Sequence, residues 1–209
     1  MKLLAASLVI LLGGSASGQV LQEDFDGGVF PPPGWVVIDN SGSGEWLLNT
    51  DYSRSNFTGG AGRCAAIDTD RIGFGLVDTE LVTPAVIVPP GGRLEFDHSF
   101  HWYSGGTNEQ ADVEISVAGG AWSLLRNFSL GDDGYPTGVH HSIDLSAHAG
   151  SSVRIRFRLY DSNWDWWWQV DNVVIGPSAI IPVVPEGGPW LQVLLILAAG
   201  LILLRRRGA

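Results

Sequence analysis

Two runs of this 209-residue chain alternate apolar and polar residues so strictly that only extended backbone can separate the two sets onto opposite faces. RLEFDHSFHWY places Leu94, Phe96, His98, Phe100 and Trp102 on one side and Arg93, Glu95, Asp97, Ser99 and His101 on the other. VRIRFRLYD does the same with Val153, Ile155, Phe157 and Leu159 against Arg154, Arg156 and Arg158. Shorter runs carry the same signature: GWVVID, AAIDTD, LVDTELVTPAVIV, ADVEISVAG, WSLLRNFSL and HHSIDLS, with Gly, Pro, Asn and Asp between them. No segment before Trp190 has a helical period, and no internal repeat is visible. The pattern predicts an all-β domain built as an antiparallel β-sandwich.

The two ends read differently. MKLLAASLVILLGGSASGQV has a positive Lys2, an apolar run from Leu3 to Leu12 and small residues at Ala16-Ser17-Gly18, the form of a signal peptide over residues 1–18. At the other end, Trp190 to Leu204 is uncharged and almost wholly apolar, and Arg205-Arg206-Arg207 follow. Fifteen residues at 1.5 Å rise reach roughly 22 Å, short of the roughly 30 Å hydrocarbon core, so a transmembrane helix over 190–204 would need bilayer thinning or help from its flanks. The arginines, in a tail of residues 205–209, should stay cytoplasmic. Residues 177–189, PSAIIPVVPEGGP, read as a Pro/Gly linker. The expected sandwich therefore occupies residues 19–176.

Residues 19–189, the sandwich with its linker, carry eight arginines and no lysine against all 22 acidic residues, leaving a formal charge of −14. Nucleic acid needs a basic face, so the composition argues against it as a partner. Divalent cations suit the charge better. Glu23, Asp24 and Asp26 crowd into LQEDFDGG near the start, and Asp171 interrupts an apolar strand near the end. If first and last strands are neighbours, these four acids could share a structural calcium ion. The alternative is that Asp171 caps a bulge and accepts backbone hydrogen bonds. Cys64 is alone, so no internal disulfide forms, and GRCAAIDTD reads as a buried strand. His98 and His101 fall on opposite faces of a strand, so a metal there would need ligands from elsewhere. No G-x-S-x-G, HExxH or phosphate-cradling loop is present, and the reading is non-catalytic.

The order EDFDGG, FPPPGWVVIDNSGSGEW, LVDTELVTPAVIV, LEFDHSF, VEISVAGGAW and VRIRFRLYDSNWDWWWQVDNVVI resembles the choice-of-anchor J domain, akin to cleaved-adhesin and MAM-like jelly rolls. The resemblance spans nearly all of residues 22–176. It implies an extracellular jelly-roll β-sandwich, often with structural calcium, found in adhesins and beside secreted enzymes. Val184-Pro185-Glu186, an apolar helix and an arginine cluster resemble a PEP-CTERM sorting signal. That likeness implies an exosortase-like partner, a transient inner-membrane anchor and a final place at the cell surface or in the matrix of a Gram-negative bacterium. Gly187 departs from that motif, and Gly187-Gly188 also resembles the GlyGly-CTERM signal of rhombosortase substrates.

SNWDWWWQVDNVVI, residues 162–175, packs four tryptophans into five positions. Trp168 shares parity with Val170, and the family resemblance implies that both face the core, that Asp171-Asn172 shifts the phase and that Val173 and Ile175 resume it. Trp166 should be partly buried. Trp164 and Trp167 are the candidate ligand residues: exposed indoles beside Asp161, Asn163 and Asp165 would stack on a glycan or exopolysaccharide. The expected function is adhesion or carbohydrate binding. A structural matrix role without ligand and a secreted hydrolase are the alternatives.

Overall fold

The computed structural model describes residues 21–106 and 108–177. The expected signal peptide, residues 178–189 of the expected linker, the apolar segment 190–204, the basic tail and Val184-Pro185-Glu186 lie outside the described residues. Among the described residues no helix is long and apolar enough to cross a membrane.

The chain folds as an antiparallel jelly-roll sandwich of two sheets, with one short α-helix and one 3-10 turn, Ser146–His148, among the described residues. In chain order the strands are β1 (Leu21–Glu23), β2 (Val36–Asp39), β3 (Leu47–Leu48), β4 (Ala65–Asp68), β5 (Val77–Val82), β6 (Val86–Ile87), β7 (Gly92–His101), β8 (Gln110–Val117), β9 (Trp122–Phe128), β10 (Val139–Asp144), β11 (Ser152–Ser162) and β12 (Trp167–Pro177). One sheet runs β10-β7-β12-β4-β3, with β1 also on β12; the other runs β2-β5-β11-β8-β9, with β6 on β11. First and last strands are therefore neighbours, with Glu23 opposite Val173.

The alternation holds in both long runs. Leu94, Phe96, His98 and Phe100 are fully buried, as are Ile155, Phe157 and Leu159. The arginines of β11 sit on the other face. Arg158 pairs with Asp78 across β5 at 2.7 Å, and Arg156 bridges Glu80 and Glu114. Each is flanked by like-sheet acids, so the outer face forms a charge ladder rather than a bare basic stripe.

Two features depart from the strand reading. AAIDTD ends its strand at Asp68, whose carboxylate accepts the Arg71 N–H and caps α1, Thr69–Ile72. β3 is only two residues long, below what an alternating pattern can signal.

β12 explains the tryptophan run. Trp168 and Val170 are fully buried, a bulge falls between Asp171 and Val174 with Asn172 at φ +49°, and Val173 and Ile175 resume the inward phase. Trp168 packs edge-on against Trp46 and Phe157 at centroid distances of 5.3 and 5.9 Å. Trp167 does point to the opposite face, but that face is not open, which corrects the expectation that it is an exposed ligand residue. The loop between β3 and β4 lies across it. Asn49 ties the two ends of that loop, exchanging hydrogen bonds with Arg54 and Cys64. Gln169, on the same face as Trp167, accepts from the Phe57 N–H and donates to the Ser55 carbonyl. Phe57 then stacks on Trp167 at 5.3 Å, and the Arg54 guanidinium sits 4.2 Å from its ring centre. Trp167 is left 3% exposed.

Both indoles are thus structural. Trp168→Ala should cost about 3–5 kcal/mol, and Trp167→Ala should fall in the same range because it too empties a filled volume. Urea unfolding of the two variants checks this; a change below about 0.5 kcal/mol for Trp167→Ala, the usual range for surface sites, would show that the loop does not cover it.

Candidate functional site

Trp164 occupies the turn between β11 and β12 in a left-handed conformation, φ +57°. That is a costly conformation for a bulky side chain, and it persists where the surroundings impose it. Here Asp165 accepts the Asn163 N–H at 3.0 Å and draws the turn tight. The result is an indole aimed outward, 54% exposed.

Three other aromatics gather around it. Phe74, 82% exposed, follows α1 and lies 4.7 Å from the Trp164 ring. Tyr103, 46% exposed, comes from the loop after β7 and meets Trp166 edge-on at 6.3 Å. Trp166 is half-buried and stacks on His101 at 4.9 Å, and His101 stacks in turn on Tyr135 at 3.8 Å. Trp164, Trp166, Tyr103 and Asp70 line a surface depression of about 260 Å³. Burial holds the His101 imidazole below its ordinary pKa, so it serves the stack as a neutral ring. Asp70 is held at the rim by Arg54 at 2.8 Å.

This arrangement can do one thing well: present flat apolar rings beside a carboxylate on an otherwise acidic surface. Of the two ligand residues expected from sequence, Trp164 lies in this depression and Trp167 lies beneath the neighbouring loop. Phe74, Tyr103 and Asp70 are additions. Their membership depends on which loops meet in space, and no spacing in the sequence signals it.

The four expected calcium ligands are individually engaged, and no three of them bring ligand atoms within 4.8 Å of one another. Glu23 Oε1 accepts the Phe25 N–H, and Asp24 Oδ1 accepts the Asp26 N–H. Asp26 Oδ1 accepts the Arg63 N–H at 2.8 Å. Asp171 is fully buried; Asn56 and Thr58 donate to its Oδ2 and the Asn172 N–H to its Oδ1. That last bond, at a bulge, is the alternative role the sequence allowed. The segment Gly60–Gly62 passes tightly over both acids. A Cβ at Gly60 would overlap Asp171 Oδ2, and one at Gly62 would overlap Asp26 Oδ2. Burial raises the pKa of Asp171 and of Glu23.

Among the described residues, the metal-type ligand atoms lying within 4.8 Å of one another belong instead to His98, Asp133 and His141. The sequence hid this group, since β10 pairs with β7 across more than forty residues. Its hydrogen bonds argue against an ion. An indole N–H only donates, so Trp168 Nε1–H makes His98 Nδ1 the acceptor at 3.1 Å. His98 Nε2 then carries the proton and donates to His141 Nε2 at 2.9 Å. A metal on Nε2 would put a proton on Nδ1, facing the indole donor. The buried His98 is thus hydrogen-bonded to a half-buried His141, with Asp133 3.8 Å from each imidazole, and burial together with His98 pushes His141 down to about 4.

With the geometry in place, the comparisons are specific. No family model matches the chain. It is 30% identical over 182 residues to Hemagglutinin A of Porphyromonas gingivalis, a match covering 75% of this chain but only 7% of that protein. The chain thus spans less than a tenth of that relative's length. The K1 cleaved adhesin domain of Lys-gingipain from Porphyromonas gingivalis W83 superposes with a TM-score of 0.56 at 25% identity, over 77% of this chain and 99% of that domain. TmCBM61, solved with β-1,4-galactotriose, superposes with a TM-score of 0.50 at 14% identity, over 74% and 94% of the two chains, which shows a shared fold. The sandwich described here is an adhesin-like domain.

Proposed function

We propose that this is a non-catalytic binding module of a secreted or cell-surface protein, taking glycans on the platform of Trp164, Phe74, Trp166 and Tyr103. The observation that carries the reading is the exposed Trp164 indole, held outward by a strained turn beside other exposed rings. Clustered exposed apolar side chains mark interaction sites on soluble domains. Aromatic faces pack on the CH face of a pyranose, and Asp70 would accept from its hydroxyls. The fold likeness to a domain crystallised with galactotriose is consistent with this use of a sandwich. A glycan array on the isolated domain should return ligands. Trp164→Ala should then weaken binding by about tenfold, or 1.4 kcal/mol, while changing stability by less than about 0.5 kcal/mol. An array without signal would leave a structural matrix role; unchanged affinity in the variant would move the site elsewhere.

The acids around β1 and β12 would have to draw together to take a calcium ion, since no three of them have ligand atoms within 4.8 Å of one another. Asp26 and Asp171, with Glu23 and Asp24 beside them, would hold it against Gly60–Gly62, where any Cβ would intrude. When bound, the ion supplies positive charge to carboxylates whose burial otherwise opposes ionisation. Chelation should therefore lower the melting temperature, since a ligand at a hundred times its Kd contributes about 2.7 kcal/mol. An unchanged melting curve in excess chelator, together with one unaltered by added calcium, would remove this ion from the account.

The choice-of-anchor J assignment, export and C-terminal sorting through Val184, Pro185 and Glu186 belong to the same proposal. An exosortase-like enzyme would cut near that motif and release the domain from a transient inner-membrane anchor. Mass spectrometry of surface material should then find no peptide beyond the linker. Recovery of Arg205 to Arg207 there would leave a permanent anchor.

A further inference from the structure

The rings of the platform differ from other rings of the domain in what lies over them. Arg156 sits 4.6 Å from the Trp122 ring centre, Arg158 4.5 Å from Tyr160 and Arg54 4.2 Å from Trp167. Among the described residues no arginine lies over Trp164, Trp166, Tyr103 or Phe74, and residues 19–189 contain no lysine. Tyr103 and Trp166 meet at 80°, so they stand as adjoining walls of the depression rather than as a closed stack. His101 covers one face of Trp166 and leaves the other for the depression. The charge beside these rings is negative. Arg54 serves Asp68 and Asp70 together, so two carboxylates share one guanidinium. The Asp70 side chain is 36% exposed and lines the depression; that of Arg54 is 14% exposed and does not. Arg71, next along α1, does not line it either.

We propose that this depression selects a protonated amine, so that the ligand of the platform, on whose glycan reading the proposal rests, is a saccharide with free amino groups. Ring faces carry negative potential and attract an ammonium group within about 6 Å of the centroid. A carboxylate at the rim adds a charge-assisted hydrogen bond, stronger than one between neutral groups. Trp164, Trp166, Tyr103 and Asp70 bring both attractions to one place. The formal charge of −14 over residues 19–189 draws cations toward the domain and repels uronates and sulfated chains. An amino sugar carries both parts that this surface matches: a CH face for Trp164 and Phe74, and an ammonium for the depression. A lone lysine side chain from a protein partner would fill the depression but leave Phe74, 82% exposed, uncovered.

Titration calorimetry of the whole chain at about pH 6, where amines are protonated, compares a glucosamine tetramer with the same tetramer N-acetylated. The free amine should bind about tenfold more tightly, and the preference should shrink at high salt. Asp70→Asn keeps an oxygen for Arg54 and should abolish the preference while leaving affinity for the acetylated tetramer unchanged. Should that variant fail to fold, the comparison of the two tetramers on the unaltered chain decides alone. Equal affinity for the two, or affinity only for uncharged glycans, would overturn the proposal and leave the glycan reading standing with a neutral ligand. A preference that persists undiminished in Asp70→Asn would overturn it equally. No affinity for either tetramer or for any glycan of the array would overturn both readings, and hexalysine binding in that case would assign the depression to a cationic peptide.

Discussion

Arg54 holds together the parts of this domain that distinguish it from a bare sandwich. Its guanidinium takes Asp68 through Nε at 2.6 Å, takes Asp70 through Nη2 at 2.8 Å, and covers the Trp167 ring. Asp68 is fully buried, and this guanidinium is its ion-pair partner. Breaking such a buried pair from one side costs about 3–5 kcal/mol, whereas an exposed pair contributes about 0–1 kcal/mol. Burial opposes the charge on Arg54, and the hydrogen bonds it donates to Asp68 and Asp70 overcome it. The same side chain therefore caps the interior, pins the loop between β3 and β4, and positions a carboxylate at the mouth of the aromatic depression.

The covering loop changes what β12 is. A strand of an antiparallel sheet ordinarily has one dry face and one wet one. Here Trp167, Gln169 and Asp171 face the loop, while Trp168 and Val170 face the core, so the strand is buried on both sides. Polar residues then survive on the covered face only by being satisfied. Gln169 exchanges two hydrogen bonds with the loop backbone, and Asp171 collects donors from Asn56, Thr58 and Asn172. The polar residues inside WWQVDNV are thus the seam that fixes where the loop sits.

How much of this could be read from sequence follows from range. Period-two alternation is local, and it located the long strands and the inward phase of Trp168; the phase shift at Asp171-Asn172 came from the family resemblance. The covering of Trp167 depends on a loop more than a hundred residues away, and parity reports only which face a residue takes, never what lies over that face. Trp164 could be found because its exposure follows from a turn of polar neighbours. Phe74 and Tyr103 could not, since each reads locally as an isolated aromatic in a loop. His98 and His141 met for the same reason they were missed: β10 joins β7 at the edge of the sheet, and strand order is not written in alternation. The capped turn at Asp68 was legible in principle, as an Asp three residues before the amide it caps, but a strand pattern overlapped it.

Exposure and burial are placed differently along one short stretch. From Trp164 to Trp168 the chain passes from an open ring to a half-buried ring and then to two buried ones. The exposed end is the strained one, because Trp164 and Asp161 both take left-handed backbone angles where β11 turns into β12. Strain of that kind persists only when the surroundings over-determine it. The surroundings here are the buried Ser162 and Asp165 behind the turn and the anchored Trp167 and Trp168 ahead of it. Because the rings are fixed from both sides, a ligand stacking on Trp164 would meet a surface already in shape. Little conformational freedom would remain to be lost on binding, which is how a small, flat patch can hold a weakly apolar ligand.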